Sequence, residues 1–291
     1  MTEIFLSNRK KGVIIVGIII AVIVSSYYFV WSITKPSPFV TNSGKLLDEF
    51  GILAMYPTKL GGREWFISMA DPKSDGIFNP KSNITKQPDG SWQISRSKYD
   101  YEVRMNVNTP PGAEEWKDVE ITGYARVVSA EPPYNSLIWY ARGGRHDSSI
   151  PCKGTSLKGG IKVNGVVSSA KEIWHTGGYT DKLAEAQVTN SLIGRWIGWK
   201  IVIYNIDNNN AVKMESYLDD KANNHWIKVA DLIDDGGWYS NSPDSVFYSA
   251  NCNKPKDYVI TNGGPIITFR SDNIVWDFKN LSVREIQSPI N

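Results

Sequence analysis

WIGWKIVIYNI, residues 196–206, places Ile197, Trp199, Ile201 and Ile203 on one side of an extended chain and Trp196, Lys200, Val202 and Tyr204 on the other. A period of two sustained over this length, built mostly from β-branched and aromatic residues, predicts a strand with one face in a core. The same reading extends toward the amino terminus. In YEVRMNV, Tyr101, Val103, Met105 and Val107 alternate with Glu102, Arg104 and Asn106; in VEITGYARV, Val119, Ile121, Ala125 and Val127 oppose Glu120, Thr122, Tyr124 and Arg126. Toward the carboxyl terminus, IVWDFKNLSVREI ends in a strand alternating at Leu281, Val283 and Glu285.

Turn clusters such as Pro88-Asp89-Gly90, Pro110-Pro111-Gly112 and Asn262-Gly263-Gly264 separate these segments, and neither a long helical period nor an internal repeat interrupts them. The expected fold class is all-β: two antiparallel sheets packed as a sandwich, with decorated outer faces that are either solvated or shaped into a groove.

One segment obeys a different rule. Residues 13–31, VIIVGIIIAVIVSSYYFVW, are 19 uncharged residues that as a helix reach about 28 Å, near the roughly 30 Å hydrocarbon core of a bilayer. Arg9, Lys10 and Lys11 precede the run, and Tyr27, Tyr28 and Trp31 lie at its other end, which predicts a cytoplasmic amino terminus. A signal peptide would have a shorter apolar region and a small-residue cleavage site. The expected organisation is a cytoplasmic tail at 1–12, one transmembrane helix at 13–31, a stalk at 32–55 and a single extracellular domain at 56–291. Within the stalk, the spacing of Leu46, Leu47, Phe50 and Leu53 predicts a short amphipathic helix ended by Pro57.

Lys and Arg number 32 against 30 acidic residues, so there is no field to hold a nucleic-acid backbone. The two cysteines, Cys152 and Cys252, lie beyond the apolar run and are expected to pair in an oxidising compartment. Two thiols and three histidines offer no zinc motif, and no cofactor is expected. Acidic and amide clusters at Asp219, Asp220 and Asn223 and at Asp234 and Asp235 supply oxygens of the kind calcium takes, without EF-hand spacing; solvated turns are the other reading.

The stretch WIGWKIVIYN (196–205), followed by VKMESYLDD, HWIKVADLID and WDFKNLSVREI, resembles the concanavalin A-like lectin and glucanase jelly-roll superfamily. More narrowly, YPTKLGGREWF (56–66), RGGRH (142–146), AKEIWH (170–175) and GGPIITFR (263–270) resemble a group of archaeal membrane-anchored surface proteins. Within the superfamily, alginate lyase-like enzymes carry Glu and Arg on one strand, Gln and His on a second, and Lys, Tyr and Asn on a third. Glu102-Val103-Arg104, Ile173-Trp174-His175 and Lys200 to Asn205 are similar in order, with Ile173 standing where that branch has Gln. By this resemblance Arg104 neutralises a uronate carboxylate, His175 takes the C5 proton and Tyr204 protonates the leaving oxygen.

The resemblance therefore implies a carbohydrate-recognition module for a polysaccharide or envelope glycan, a polysaccharide lyase, or a structural envelope protein. For recognition, the candidates are Glu102 and Lys200 on polar strand faces, Trp196 as a stacking ring, and Arg142, Arg145 and His146 as a cationic loop for a carboxylate or sulfate. Glu102 and Glu120 become a hydrolase pair if their strands are neighbours.

Overall fold

In the computed structural model the protein is an all-β sandwich; residues 39–40, 44–95, 101–132, 135–144 and 149–289 are described. Strands are numbered in chain order. A seven-stranded antiparallel sheet runs, in spatial order, β12 (Leu183–Gln187), β11 (Val166–Glu172), β10 (Ser156–Lys162), β9 (Ser136–Gly143), β16 (Ile266–Asp272), β7 (Glu102–Asn108) and β4 (Phe78–Pro80). An eight-stranded sheet runs β15 (Ile227–Asp234), β14 (Ala211–Asp219), β13 (Trp196–Ile206), β8 (Val119–Ala130), β17 (Ile274–Glu285), β6 (Trp92–Ile94) and β5 (Ile84–Lys86), with β3 (Glu64–Phe66) also pairing β17. A small hairpin joins β1 (Phe39–Val40) to β2 (Leu46–Leu47), and a six-residue helix, α1 (Asp244–Ser249), follows β15.

The core lies between the sheets, where the inner faces predicted by alternation meet. Val103, Met105 and Val107 come from β7, Val119, Ile121, Ala125 and Val127 from β8, and Ile197, Trp199, Ile201 and Ile203 from β13. Trp139, Phe269, Trp276 and Phe278 complete its centre. Strand β17 keeps Trp276 and Phe278 as well as Leu281 and Val283 inward despite their odd spacing, because the register against β8 shifts between Lys279 and Ser282. Asn280 sits in that bulge at φ 53°, a left-handed conformation that asparagine tolerates.

Residues 46–55 do not form the expected helix. The Asp48 carboxylate accepts the amides of Phe50 (2.9 Å) and Ile52 (2.8 Å), closing a tight turn that uses the donors a first helical turn would leave open. Leu46 and Leu47 pair with β1 instead, Leu47 bridges Leu53, and the segment continues across the outer face of the eight-stranded sheet.

Cys152 and Cys252 form the expected disulfide, with Cα atoms 5.4 Å apart. It ties the turn before β10 to the segment after α1, beside a satellite core of Ile173, Trp174 and Phe247. The predicted transmembrane run at 13–31, the tail at 1–12 and the first part of the stalk lie outside the described residues. Among those described, no helix is long and apolar enough to cross a membrane.

Candidate functional site

Strand pairing arranges the outer face of the seven-stranded sheet in rows. One row reads Glu102, Asp272, Ser136, Lys162; the next reads Arg104, Arg270, Ile138, Gly160, Ser168; the third reads Asn106, Thr268, Tyr140, Lys158, Ala170. Small residues at Gly160 and Ser168 lie between rows that carry larger side chains, so a depression opens across β10 and β11. It forms a cleft of about 280 Å³ whose lining includes Glu102, Ile138, Lys158, Gly160, Tyr179 and Arg270.

Apart from the exposed Lys182, the charges around this cleft are matched locally. Glu102 bridges Arg104 and Arg270, the latter at 2.6 Å, and Asp272 accepts from Arg270 Nε at 2.7 Å. Lys158 Nζ meets Glu172 at 2.6 Å, Lys162 faces Glu185 at 3.3 Å, and Lys171 is paired with Asp234 at 2.8 Å. Burial works against the Arg270 charge, but Asp272 and Glu102 outweigh it and hold the guanidinium pKa above its ordinary value. Burial also pushes the Lys158 ammonium pKa down, against the opposing pull of Glu172.

Tyr179 stands at the edge with 40% of its surface exposed, its ring 5.3 Å from Lys158 Nζ. Its hydroxyl pKa is raised, first by burial and then by the Glu172 charge, so the phenol stays protonated through the neutral range. His175 Nδ1 lies 3.3 Å from Glu172 and 3.4 Å from the Tyr179 hydroxyl, which brings the predicted His175 to the same sheet face as Glu102 and Arg104.

The other predicted residues lie elsewhere. Tyr204 and Lys200 are on the outer face of the eight-stranded sheet, on the far side of the sandwich from Arg104. Lys200 is fully buried, paired with Glu120 and donating to the Leu53 carbonyl at 2.7 Å. The Tyr204 hydroxyl is within 3.3 Å of the Tyr56 hydroxyl, which donates to Glu215 at 2.9 Å. The three-residue groove of Arg104, His175 and Tyr204 therefore does not form, because the strands of Arg104 and Tyr204 belong to different sheets. Glu102 and Glu120 are separated for the same reason, so they are not a hydrolase pair.

Trp196 shares the Tyr204 side, its ring 4.8 Å from Arg126 and 4.5 Å from Lys279. Arg142 is buried rather than part of a cationic loop: its guanidinium donates to the Ile260 carbonyl at 2.6 Å and pairs with Asp118 at 3.1 Å, and burial pushes its pKa down to about 10. Arg145 and His146 lie outside the described residues. Asp219 accepts the amides of Asn223 and Asn224, Asp220 pairs with Arg195, and Asp234 is taken by Lys171. These acidic groups are engaged in turns and ion pairs, and among the described residues no three His, Cys, Asp or Glu side chains gather as metal ligands.

Lys158, Gly160, Tyr179 and Arg270 were not among the residues singled out from the sequence. Parity alone puts Lys158 and Gly160 opposite Leu157 and Ile161, and Arg270 opposite Phe269, so their outward direction was readable. Their meeting required the order of the strands.

No family model matches the chain, and no curated protein matches it. Solved structures similar to it include carbohydrate binding module CBM66 from Bacillus subtilis (11% identity, TM-score 0.41, covering 72% of this chain and 95% of that one). A Bacillus subtilis protein of unknown function with a galectin-like fold aligns at 11% identity and TM-score 0.45, covering 80% of this chain and 100% of that one. A family 7 alginate lyase aligns at 9% identity and TM-score 0.37, covering 69% of this chain and 82% of that one. Likeness this distant assigns neither family nor activity.

Proposed function

We propose that the protein is a single-pass membrane protein, amino terminus inside, whose extracellular sandwich recognises an uncharged portion of a polysaccharide or envelope glycan on the outer face of the seven-stranded sheet. The observation that carries this reading is the cleft at Gly160, with a half-exposed tyrosine ring at its edge and hydrogen-bonding side chains around it. Sugar rings present apolar C–H faces to aromatics and hydroxyls to fixed donors and acceptors, and such sites combine an apolar surface with a few placed polar groups.

The matched charges select among glycans. Arg104, Arg270, Lys158, Lys162 and Lys171 each already face a carboxylate and only Lys182 among the described lining cations lacks one, so the cleft offers donors and acceptors without a large net field. A uronate or sulfate would have to compete with those partners, which favours a neutral sugar over the substrate of a uronate lyase. The membrane placement is supported by the 19-residue run at 13–31 and its flanking Arg9, Lys10 and Lys11.

A glycan array probed with the full-length protein in a non-glycosidic detergent tests the recognition. Neutral glycans should bind with little change between ~0.05 M and ~0.5 M salt. Binding confined to acidic glycans and fading with salt, or no binding to any glycan, would overturn it. Protease added to intact cells should digest the sandwich and spare the amino-terminal tail; a protected sandwich would refute the topology.

A further inference from the structure

Two adjacent glycines in β10 point to opposite faces and differ in what they must accommodate. A methyl group at Gly159 would collide with Ile201 Cγ2 of the facing sheet and come within 3.1 Å of Ser216 Oγ, so the packed interior demands glycine there. At Gly160 the backbone lies outside the left-handed region, and a Cβ would meet only Leu137 O at 3.5 Å, Ile138 Cγ1 at 3.6 Å and Ser168 O at 3.7 Å, all ordinary contacts. Neither torsion nor packing requires glycine at 160, and a strand-interior glycine weakens a sheet unless something approaches the backbone closely. A larger side chain there would take up the cleft itself.

We propose that Gly160 is the specificity-determining residue of this cleft, kept bare so that one uncharged sugar ring lies on its backbone beside Ile138. This rests on the glycan reading above. Lys158 and Tyr179 border the ring on one side, and Asp272 and Lys162 border it on the other. The volume of about 280 Å³ falls just below the range of ligand pockets, about 300 to 1,000 Å³, so it suits one ring rather than a run of them. Longer chains would leave along the face toward Tyr179.

The test uses full-length wild type, Gly160→Ala, Gly160→Leu and Gly159→Ala, with the methyl glycosides of glucose, galactose, mannose and fructose as probes in saturation-transfer NMR. Wild type should give a signal with at least one glycoside. Gly160→Ala should weaken it roughly tenfold and Gly160→Leu should abolish it, each with a melting temperature within about 2 °C of wild type. Gly159→Ala should keep the signal and melt about 5 °C lower. Undiminished binding by folded Gly160→Leu would sink this proposal while leaving glycan recognition intact. Unfolding of Gly160→Ala would also sink it, by showing that packing demands the glycine. Silence of wild type toward every probe would bring down the recognition reading with it.

Discussion

The two outer faces of the sandwich are built from the same kinds of residue and end in opposite conditions. On the eight-stranded sheet, Glu120 and Lys200 are 1% and 0% exposed, roofed by residues 53–58 through bonds from Lys200 to the Leu53 carbonyl, from the Met55 amide to Glu120 and from Arg284 to the Tyr56 carbonyl. On the seven-stranded sheet, the comparable pair of Glu102 and Arg104 keeps 19% and 26% of its side-chain surface, beside a cleft that Tyr179 overlooks. A charged face that is covered becomes a buried ionic network, in which every member depends on its partner. A charged face left uncovered keeps its donors and acceptors within reach of a ligand. On the proposed reading, stability and recognition are thus divided between two faces of similar chemistry.

The division is tested most severely by Lys200→Met, which leaves the Glu120 carboxylate buried with the Met55 amide and, as its remaining cation, Arg284 at 3.6 Å. Denaturant unfolding should show a loss of about 3–5 kcal/mol, while the folded protein binds glycan as before. A loss below 1 kcal/mol would mean that the roof does not seal this face.

Replacing Cys152 and Cys252 together by alanine opens a loop of 100 residues and should cost roughly 4 kcal/mol, less whatever strain the bridge carries. Because the bridge sits beside Trp174 and Phe247, next to His175, this variant should also loosen proteolytic protection at residues 236–256. Equal protection in both proteins would show that the satellite core holds without the bridge.

Tyr179→Ala acts on the open face alone. The lost stacking contact should weaken glycan binding about tenfold, with the urea midpoint unmoved. A variant that binds normally would move the recognition surface away from this edge.

The smallest effect concerns Glu285, which fastens the end of β17 to Arg63. Burial pushes its carboxyl pKa up, but hydrogen bonds from the Arg63 guanidinium and amide, both 2.6 Å, outweigh that and hold it below the ordinary 4.5. A carboxylate with a lowered folded-state pKa contributes stability above its ordinary pKa and loses it as pH falls through the lowered value. Glu285→Gln should therefore cost less than ~1 kcal/mol at neutral pH, and the gap from wild type should close in acid. A gap that persists under acidic conditions would assign the effect to packing rather than charge.

Much of the fold was legible in the chain. The alternation at 103–107, 119–127 and 196–206 named the inward residues correctly, since a strand's side chains must take opposite sides whatever surrounds it, whereas Tyr101, read on the same face, precedes the strand and is 50% exposed. The helix expected at 46–55 failed because periodicity weighs apolar residues and ignores a carboxylate, here Asp48, that competes for backbone amides. For the candidate site, parity put Glu102 and Arg104 on one face, whereas His175 reaches it only through the turn after β11, beside Glu172 and Tyr179. Tyr204 and Lys200 were read as equally outward and lie beneath a roof.

By itself the sequence determined which residues turn inward, that its two cysteines could pair only with each other, and that one apolar run is long enough to span a bilayer. Those properties follow from local geometry and from counting. The tertiary structure alone decided which decorated face stays open. Whether Lys200 or Lys162 meets solvent depends on where residues 53–58 come to rest, more than 60 positions from Glu120 and more than 140 from Lys200, and no local pattern encodes a contact between segments so far apart.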